Sequence, residues 1–223
     1  MDFRHEWKIE INRADLLALR SRLRVLMESD EHAVNGRYLI RSLYFDTLKD
    51  RALREKIDGV NRREKFRIRY YNGDTGFLSL EKKSKLNGLC NKQSVQLTVK
   101  QVRAILNGEI LWTPQNAPPL LRELYFKVKT EGLRPKVVVD YIREPFVYHQ
   151  GNVRITFDYG IRTGLQCTDF LNPDFVTIPA GDAPILMEVK WDTFLPDIIR
   201  DLIQLPGRRA SAFSKYAQCR IYG

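Results

Sequence analysis

Between Glu64 and Lys85 the chain alternates twice, and no other stretch limits its fold so tightly. The first arm, Glu64-Lys-Phe-Arg-Ile-Arg-Tyr-Tyr71, places Phe66, Ile68 and Tyr70 on one face and Arg67 and Arg69 on the other. The second places Leu78 and Leu80 opposite Ser79, Glu81, Lys83 and Lys85. A period of two is the period of a β-strand. The turn residues of Asn72–Gly76 between the arms predict a hairpin with a loop of several residues. Paired in this way, one face of the hairpin is apolar and the other gathers arginines and lysines around a carboxylate. A single such face is most simply a solvated surface, so the rest of the chain must decide.

The pattern recurs. Phe3, His5, Trp7, Ile9 and Ile11 alternate with Arg4, Glu6, Lys8 and Glu10; His5, on the apolar side, reads as a packing residue. Val153, Ile155, Phe157 and Tyr159 alternate with Arg154, Thr156 and Asp158, before a turn expected at Gly160–Gly164 and an extended segment around Leu165–Leu171. Met187, Val189 and Trp191 alternate with Glu188, Lys190 and Asp192. Tyr38–Phe45 and Lys136–Ile142 read as further strands, the latter closed by Arg143 ahead of Pro145, and Asn91–Leu97 as a short strand carrying Lys92.

Helices are expected between these strands. One is capped by Asn12, with Leu16, Leu19, Leu23 and Leu26 inward. Others follow over Leu48–Lys56, after Thr98, from Pro118-Pro119 to Gly132, and over Pro196–Leu205. Helices must cover apolar sheet faces. The charged faces are then turned toward a common lumen if the sheet closes. The expected fold class is α+β: an antiparallel barrel with helices outside and a charged interior. Pro114–Pro119 reads as a break inside one domain spanning residues 1–223.

Like charges crowded in a lumen repel, and are tolerable where carboxylates or an anionic ligand compensate them. The formal net charge of +10 over 223 residues points the same way, toward polyanionic partners. Aromatic residues lie mostly opposite the charges rather than beside them, which argues against nucleic acid stacked on these strands. Three widely spaced cysteines, Cys90, Cys167 and Cys219, fit reduced thiols and no zinc site. No apolar run approaches the roughly 20 residues of a membrane span, and no signal peptide is evident, so a cytoplasmic location is expected. No Gly-rich phosphate loop and no Ser or Cys triad is present.

The order His5-Glu6-x-Lys8, Ser42-x-Tyr-Phe-Asp46, Arg67-x-Arg69-Tyr, Leu80-Glu-x-Lys83, Arg143, Arg154-Ile-Thr-x-Asp158, Glu188-x-Lys190 and Phe213-Ser-Lys-Tyr216 resembles the VTC domain, the polyphosphate polymerase domain of the vacuolar transporter chaperone. That family belongs to the triphosphate tunnel metalloenzymes, and the resemblance runs from residue 4 to residue 217. It implies an eight-stranded antiparallel tunnel barrel in which the terminal phosphoryl of ATP passes onto a polyphosphate chain. It further implies Lys8, Arg67, Arg69, Lys83, Arg154 and Lys215 as phosphate ligands, with Lys92, Arg143 and Lys190 as additional candidates. The metal, Mn²⁺ or Mg²⁺, would be held by Glu188, with Glu6 and Asp158 as further candidates; Glu6 reads more simply as the partner of a lumen lysine. One departure stands out: tunnel triphosphatases and adenylyl cyclases carry Glu-x-Glu-x-Lys on the first strand, where this chain has Arg4-x-Glu6-x-Lys8. That favours the polymerase branch. Two other readings stay open: a tunnel enzyme that hydrolyses triphosphate or polyphosphate, and a non-catalytic polyanion-binding module. Nucleotide preference, primer, physiological metal, oligomeric state and any membrane-protein partner are not readable from the chain.

Overall fold

The computed structural model describes residues 4–31, 33–109, 117–182 and 184–221. Its strands are β1 (His5–Ile11), β2 (Glu28–Ser29), β3 (Tyr38–Asp46), β4 (Arg63–Tyr71), β5 (Asp74–Leu86), β6 (Leu89–Leu97), β7 (Arg134–Tyr148), β8 (Val153–Thr163), β9 (Ile178–Pro179) and β10 (Ile185–Trp191). The helices are α1 (Arg13–Leu26), α2 (Arg51–Ile57), α3 (Val99–Leu106), α4 (Pro119–Glu131), α5 (Asp197–Leu202) and α6 (Lys215–Arg220). Eight strands form one antiparallel sheet in the order β1-β10-β8-β7-β3-β4-β5-β6, with β2 and β9 as two-residue additions. The sheet curls into a half-barrel until its edges touch. Arg4 N–H donates to Cys90 O at 2.9 Å and Cys90 N–H donates to Arg4 O at 3.1 Å. No helix among the described residues is long and apolar enough to cross a membrane.

The apolar faces lie on the convex side, as the alternation requires. Leu43, Phe66, Ile68, Leu78 and Leu80 pack under Val102 and Ile105 of α3 and Leu120, Leu121 and Leu124 of α4. Ile155, Phe157, Met187 and Val189 pack under Leu16, Leu19 and Leu23 of α1 and Ile199 of α5. Fully burying each such side chain contributes about 1.5–3 kcal/mol. Both α1 and α3 begin with reciprocal caps, Asn12 with Asp15 and Thr98 with Gln101.

Local breakers behave differently from expectation in three places. The β4–β5 hairpin turns through Asn72-Gly73 alone, both at positive φ (52° and 77°). That is the backbone of a two-residue type I′ turn, tighter than the loop expected over Asn72–Gly76. β7 does not stop at Arg143 but runs on through Pro145. Pro145 falls between the end of β3, which pairs up to Arg143, and β2, which pairs with Phe146 and Val147. No neighbour on that side needs its missing N–H. β8 likewise continues through Gly160 (φ +61°), beside a register shift against β7, where glycine accommodates a bulge. The strand expected near Leu165–Leu171 is instead a series of turns. The α2 and α5 helices are shorter than expected, and Pro114–Asn116 of the proline-rich break lie outside the described residues.

One helix lies on the concave side. Tyr216 and Cys219 of α6 pack against Ile40, Tyr44, Val137, Val139, Tyr141 and Leu186. These share the sheet face of Ser42, Arg143 and Glu188, because residues two apart on a strand point the same way. The interior is therefore charged in one part and filled by α6 in the other.

Candidate functional site

A cavity of about 160 Å³ opens in the charged part of the interior. Ten lysines and arginines line it against three glutamates, Glu6, Glu64 and Glu188. Of the residues expected at the site, Lys8, Arg67, Lys83, Arg143, Lys190, Lys215, Glu6 and Glu188 all reach the cavity wall.

Their charges interlock across strands. Glu6 of β1 lies 2.7 Å from Lys83 Nζ of β5, 3.5 Å from Lys190 and 3.6 Å from Lys8. Burial alone would raise its pKa, but Lys83 and Lys8 outweigh burial and hold the carboxyl well below its usual range. Asp158 of β8 is fully buried and takes both forks of Arg143 at 2.6 Å, with Lys215 Nζ at 2.5 Å. Glu188 of β10 faces Lys215 at 3.3 Å, Lys190 and Arg143 at 3.4 Å, and Lys8 at 3.7 Å. Against its own burial these four cations keep it ionised, with its pKa far below the normal value. Beside it, Thr156 Oγ1 of the paired strand is buried and has no hydrogen-bond partner among the described residues.

A second group surrounds Glu81. Arg67 reaches it through Nε at 2.7 Å and Nη2 at 2.5 Å, and donates to Tyr44 OH at 3.0 Å. Lys92 stands 3.6 Å from Glu81 and is more than half exposed. Arg69 lies behind this layer, buried, donating to Ser42 Oγ at 3.0 Å and Tyr141 OH at 2.7 Å. Arg69, Lys92, Arg154 and Asp158 are not among the residues lining the cavity. Arg154 shares the concave face but pairs with Asp30 at 2.8 Å.

Arg69→Met is therefore expected to cost about 1–3 kcal/mol of stability in urea unfolding, because two buried hydroxyls lose their donor. Its affinity for tripolyphosphate should stay within about two-fold of wild type, since an uncontacted residue contributes little to binding. A loss as large as that of Arg67→Ala would return Arg69 to the ligand set.

Tyr44, Tyr141, Lys56, Arg63 and Lys65 also line the cavity and were not singled out from the sequence. The alternation that exposed Arg67 and Arg69 extends back to Lys65 and Arg63, so those two carried a signal. Lys56 on α2 carried none, because it does not lie on a strand.

A curled antiparallel half-barrel whose concave face is a cation-rich cavity defines a tunnel-type anion-binding domain. The chain belongs to the VTC domain family, whose model matches residues 3–222. Among solved structures it is similar to a candidate adenylate cyclase from Bacillus halodurans, at 15% identity and a TM-score of 0.50, over 85% of this chain and 80% of that one. It is also similar to the PH1819 protein of Pyrococcus horikoshii OT3, at 13% identity and a TM-score of 0.45, over 90% and 84% of the two chains. At these identities the likeness concerns the fold. Among curated proteins no sequence matches this chain.

Proposed function

We propose that this chain is a metal-dependent polyphosphate polymerase that moves the terminal phosphoryl of ATP onto a polyphosphate chain. Membership of the VTC family and the tunnel fold support a function on phosphates or triphosphates. The observation that carries the finer reading is the excess of cations, ten against three glutamates, converging from seven elements on one cavity.

In this reading an oxygen of the acceptor phosphate attacks the terminal phosphorus of ATP, and the bond to the leaving diphosphate oxygen breaks, releasing ADP. The transition state spreads charge over the phosphoryl oxygens, so the protein's task is positioning and neutralisation. Arg67 and Arg143 offer planar forks; Lys8, Lys83, Lys190 and Lys215 offer point charges. Each of these is held by a carboxylate, which keeps it oriented before the ligand arrives.

The donor set fits a divalent ion at one position. No group of three or more acidic, histidine or cysteine side chains among the described residues could cage a metal. Mg²⁺ and similar ions, however, are commonly held by one or two carboxylates plus substrate phosphates. Glu188 suits that role: its cations all stand at 3.3 Å or more, and the unpartnered Thr156 hydroxyl lies on the strand beside it. Glu6 and Asp158, each closely bound to a cation, suit it less. Held there by Glu188, a divalent ion would supply positive charge that offsets the phosphate oxygens.

The test is a single incubation of the purified chain with ATP and Mn²⁺ or Mg²⁺, following long polyphosphate, free phosphate and ADP together. Polymer with ADP is expected. Free phosphate without polymer would assign hydrolysis instead, and no turnover with either metal would leave a binding module.

A further inference from the structure

Asp46, the last residue of β3, is wholly buried and has no lysine or arginine partner among the described residues. A buried carboxylate without a counter-charge is costly unless hydrogen bonds replace its water. Four do so. Oδ1 accepts from the backbone N–H of Thr47 and of Ala52, both at 2.8 Å, and Oδ2 from that of Leu53 at 3.1 Å. The fourth comes from the phenol of Tyr216, 170 residues further on. Burial and the carboxylate itself raise the Tyr216 pKa, so the phenol keeps its proton and donates it. The bonds to Ala52 and Leu53 hold the first turn of α2. The bond from Tyr216 fastens α6 to the same point.

Helix α6 needs such ties, because six residues are too few to hold a helix by themselves. Residues four apart share a helix face, and two neighbouring faces of α6 point to different elements. Tyr216 and Arg220 meet the start of α2: the phenol reaches Asp46, and Arg220 Nη2 donates to both oxygens of Asp50 at 3.1 Å. Lys215 and Cys219 meet β8: the ammonium lies 2.5 Å from Asp158, and the thiol donates to Arg162 O at 3.7 Å. The helix is thus wedged between α2 and β8. Lys215 lines the cavity, whereas Asp46 and Tyr216 do not.

A bond that merely stabilises the fold would be the simpler account of the Tyr216 hydroxyl. For packing alone, a phenylalanine would fill the same space against Tyr44, whose ring stacks 5.3 Å away. What the hydroxyl adds is direction. It fixes the angle at which the preceding residue, Lys215, leaves the helix.

We propose that Asp46 and Tyr216 are positioning residues for the cavity: their bond sets the rotation of α6 and so holds Lys215 between Asp158 and Glu188, where it meets the ligand. This rests on the reading of the cavity as a phosphate site. Neither residue touches the ligand; their effect passes through Lys215.

Two measurements on the full chain test this. Metal-free calorimetry follows tripolyphosphate, and mass spectrometry follows maleimide labelling of Cys219, with exposed Cys167 as the internal reference. Burial pushes the Cys219 thiol up to about 12, so it reacts only when α6 lifts. Tyr216→Phe keeps the ring and removes the bond. It should speed Cys219 labelling about five-fold and weaken tripolyphosphate about five-fold. In Lys215→Met the same substitution should change affinity less than about two-fold, since the residue it positions is gone. Val102→Ala, which thins the convex core, should lower stability in urea without changing affinity. Equal losses with and without Lys215, or faster labelling at unchanged affinity, would overturn the positioning role. Unchanged labelling in Tyr216→Phe would overturn the fastening itself. Failure of wild type to bind tripolyphosphate would instead overturn the phosphate reading of the cavity, while labelling still reports whether the bond holds α6.

Discussion

Asp158→Asn is expected to lower folding stability by about 3–5 kcal/mol, the scale for removing one partner of a buried ion pair. The carboxylate is fully buried, and it alone receives both guanidinium nitrogens of Arg143 and the ammonium of Lys215 at 2.5–2.6 Å. An amide of the same shape leaves two buried cations facing each other. Urea unfolding at neutral pH would measure this, and a change below about 1 kcal/mol would show the pair to be dispensable. The pH dependence has a fixed sign. Against burial, Arg143 and Lys215 depress the Asp158 pKa. The carboxylate's contribution is therefore complete above its unfolded value of about 3.9 and is lost as pH falls through the lower folded one. The gap between wild type and Asp158→Asn should accordingly narrow in acid and stay constant from about pH 5 upward.

Glu188→Gln should separate two roles that one carboxylate can play. As the metal ligand, its loss should reduce metal-dependent turnover about 10²-fold or more, the scale of a single contact made in the transition state. As the counter-charge to Lys8, Lys190, Lys215 and Arg143, its loss should also free those cations. Metal-free tripolyphosphate binding should then tighten, by about ten-fold for one removed competing charge. Slower turnover together with tighter binding is the expected signature. Wild-type turnover in the variant would remove Glu188 from the metal site.

Much of this architecture was legible because a strand with one buried face cannot slip register without exposing its core. Phe66, Ile68 and Tyr70 mark the convex face as surely as Lys65, Arg67 and Arg69 mark the concave one. Where local signals misled, tertiary context had supplied what the residue lacks. Pro145 and Gly160 look like strand ends, yet a missing neighbour and a bulge accommodate them. The inward position of α6 was hidden for a different reason. Six residues are too few to show a periodic face, and Tyr216 and Cys219 carry the packing between them.

The site divides the same way. Which residues point inward followed from alternation, but which charge meets which did not. Lys83 and Glu6 lie 77 residues apart and meet because the sheet curls its first strand toward its last. Arg154 had the correct parity and a basic side chain, and still pairs with Asp30 away from the cavity wall. Parity names a face; position along the strand decides whether a side chain on that face reaches the ligand.

The meeting of Arg4 with Cys90 also makes the wall mechanically uneven. Every other junction between neighbouring strands of the main sheet is a ladder, whereas among the described residues the β1 and β6 edges share one bridge of two backbone bonds, Arg4 with Cys90. Side-chain attraction continues that seam inward, chiefly Lys83 to Glu6. A line closed by so few amides can part at a small fraction of the cost of unfolding the sheet, and a phosphate that draws Lys83 away from Glu6 weakens it further. The tube is thus fastened more like a clasp than a weave. Salt, which screens the ion pair, should loosen this seam while the ladders opposite it stay shut.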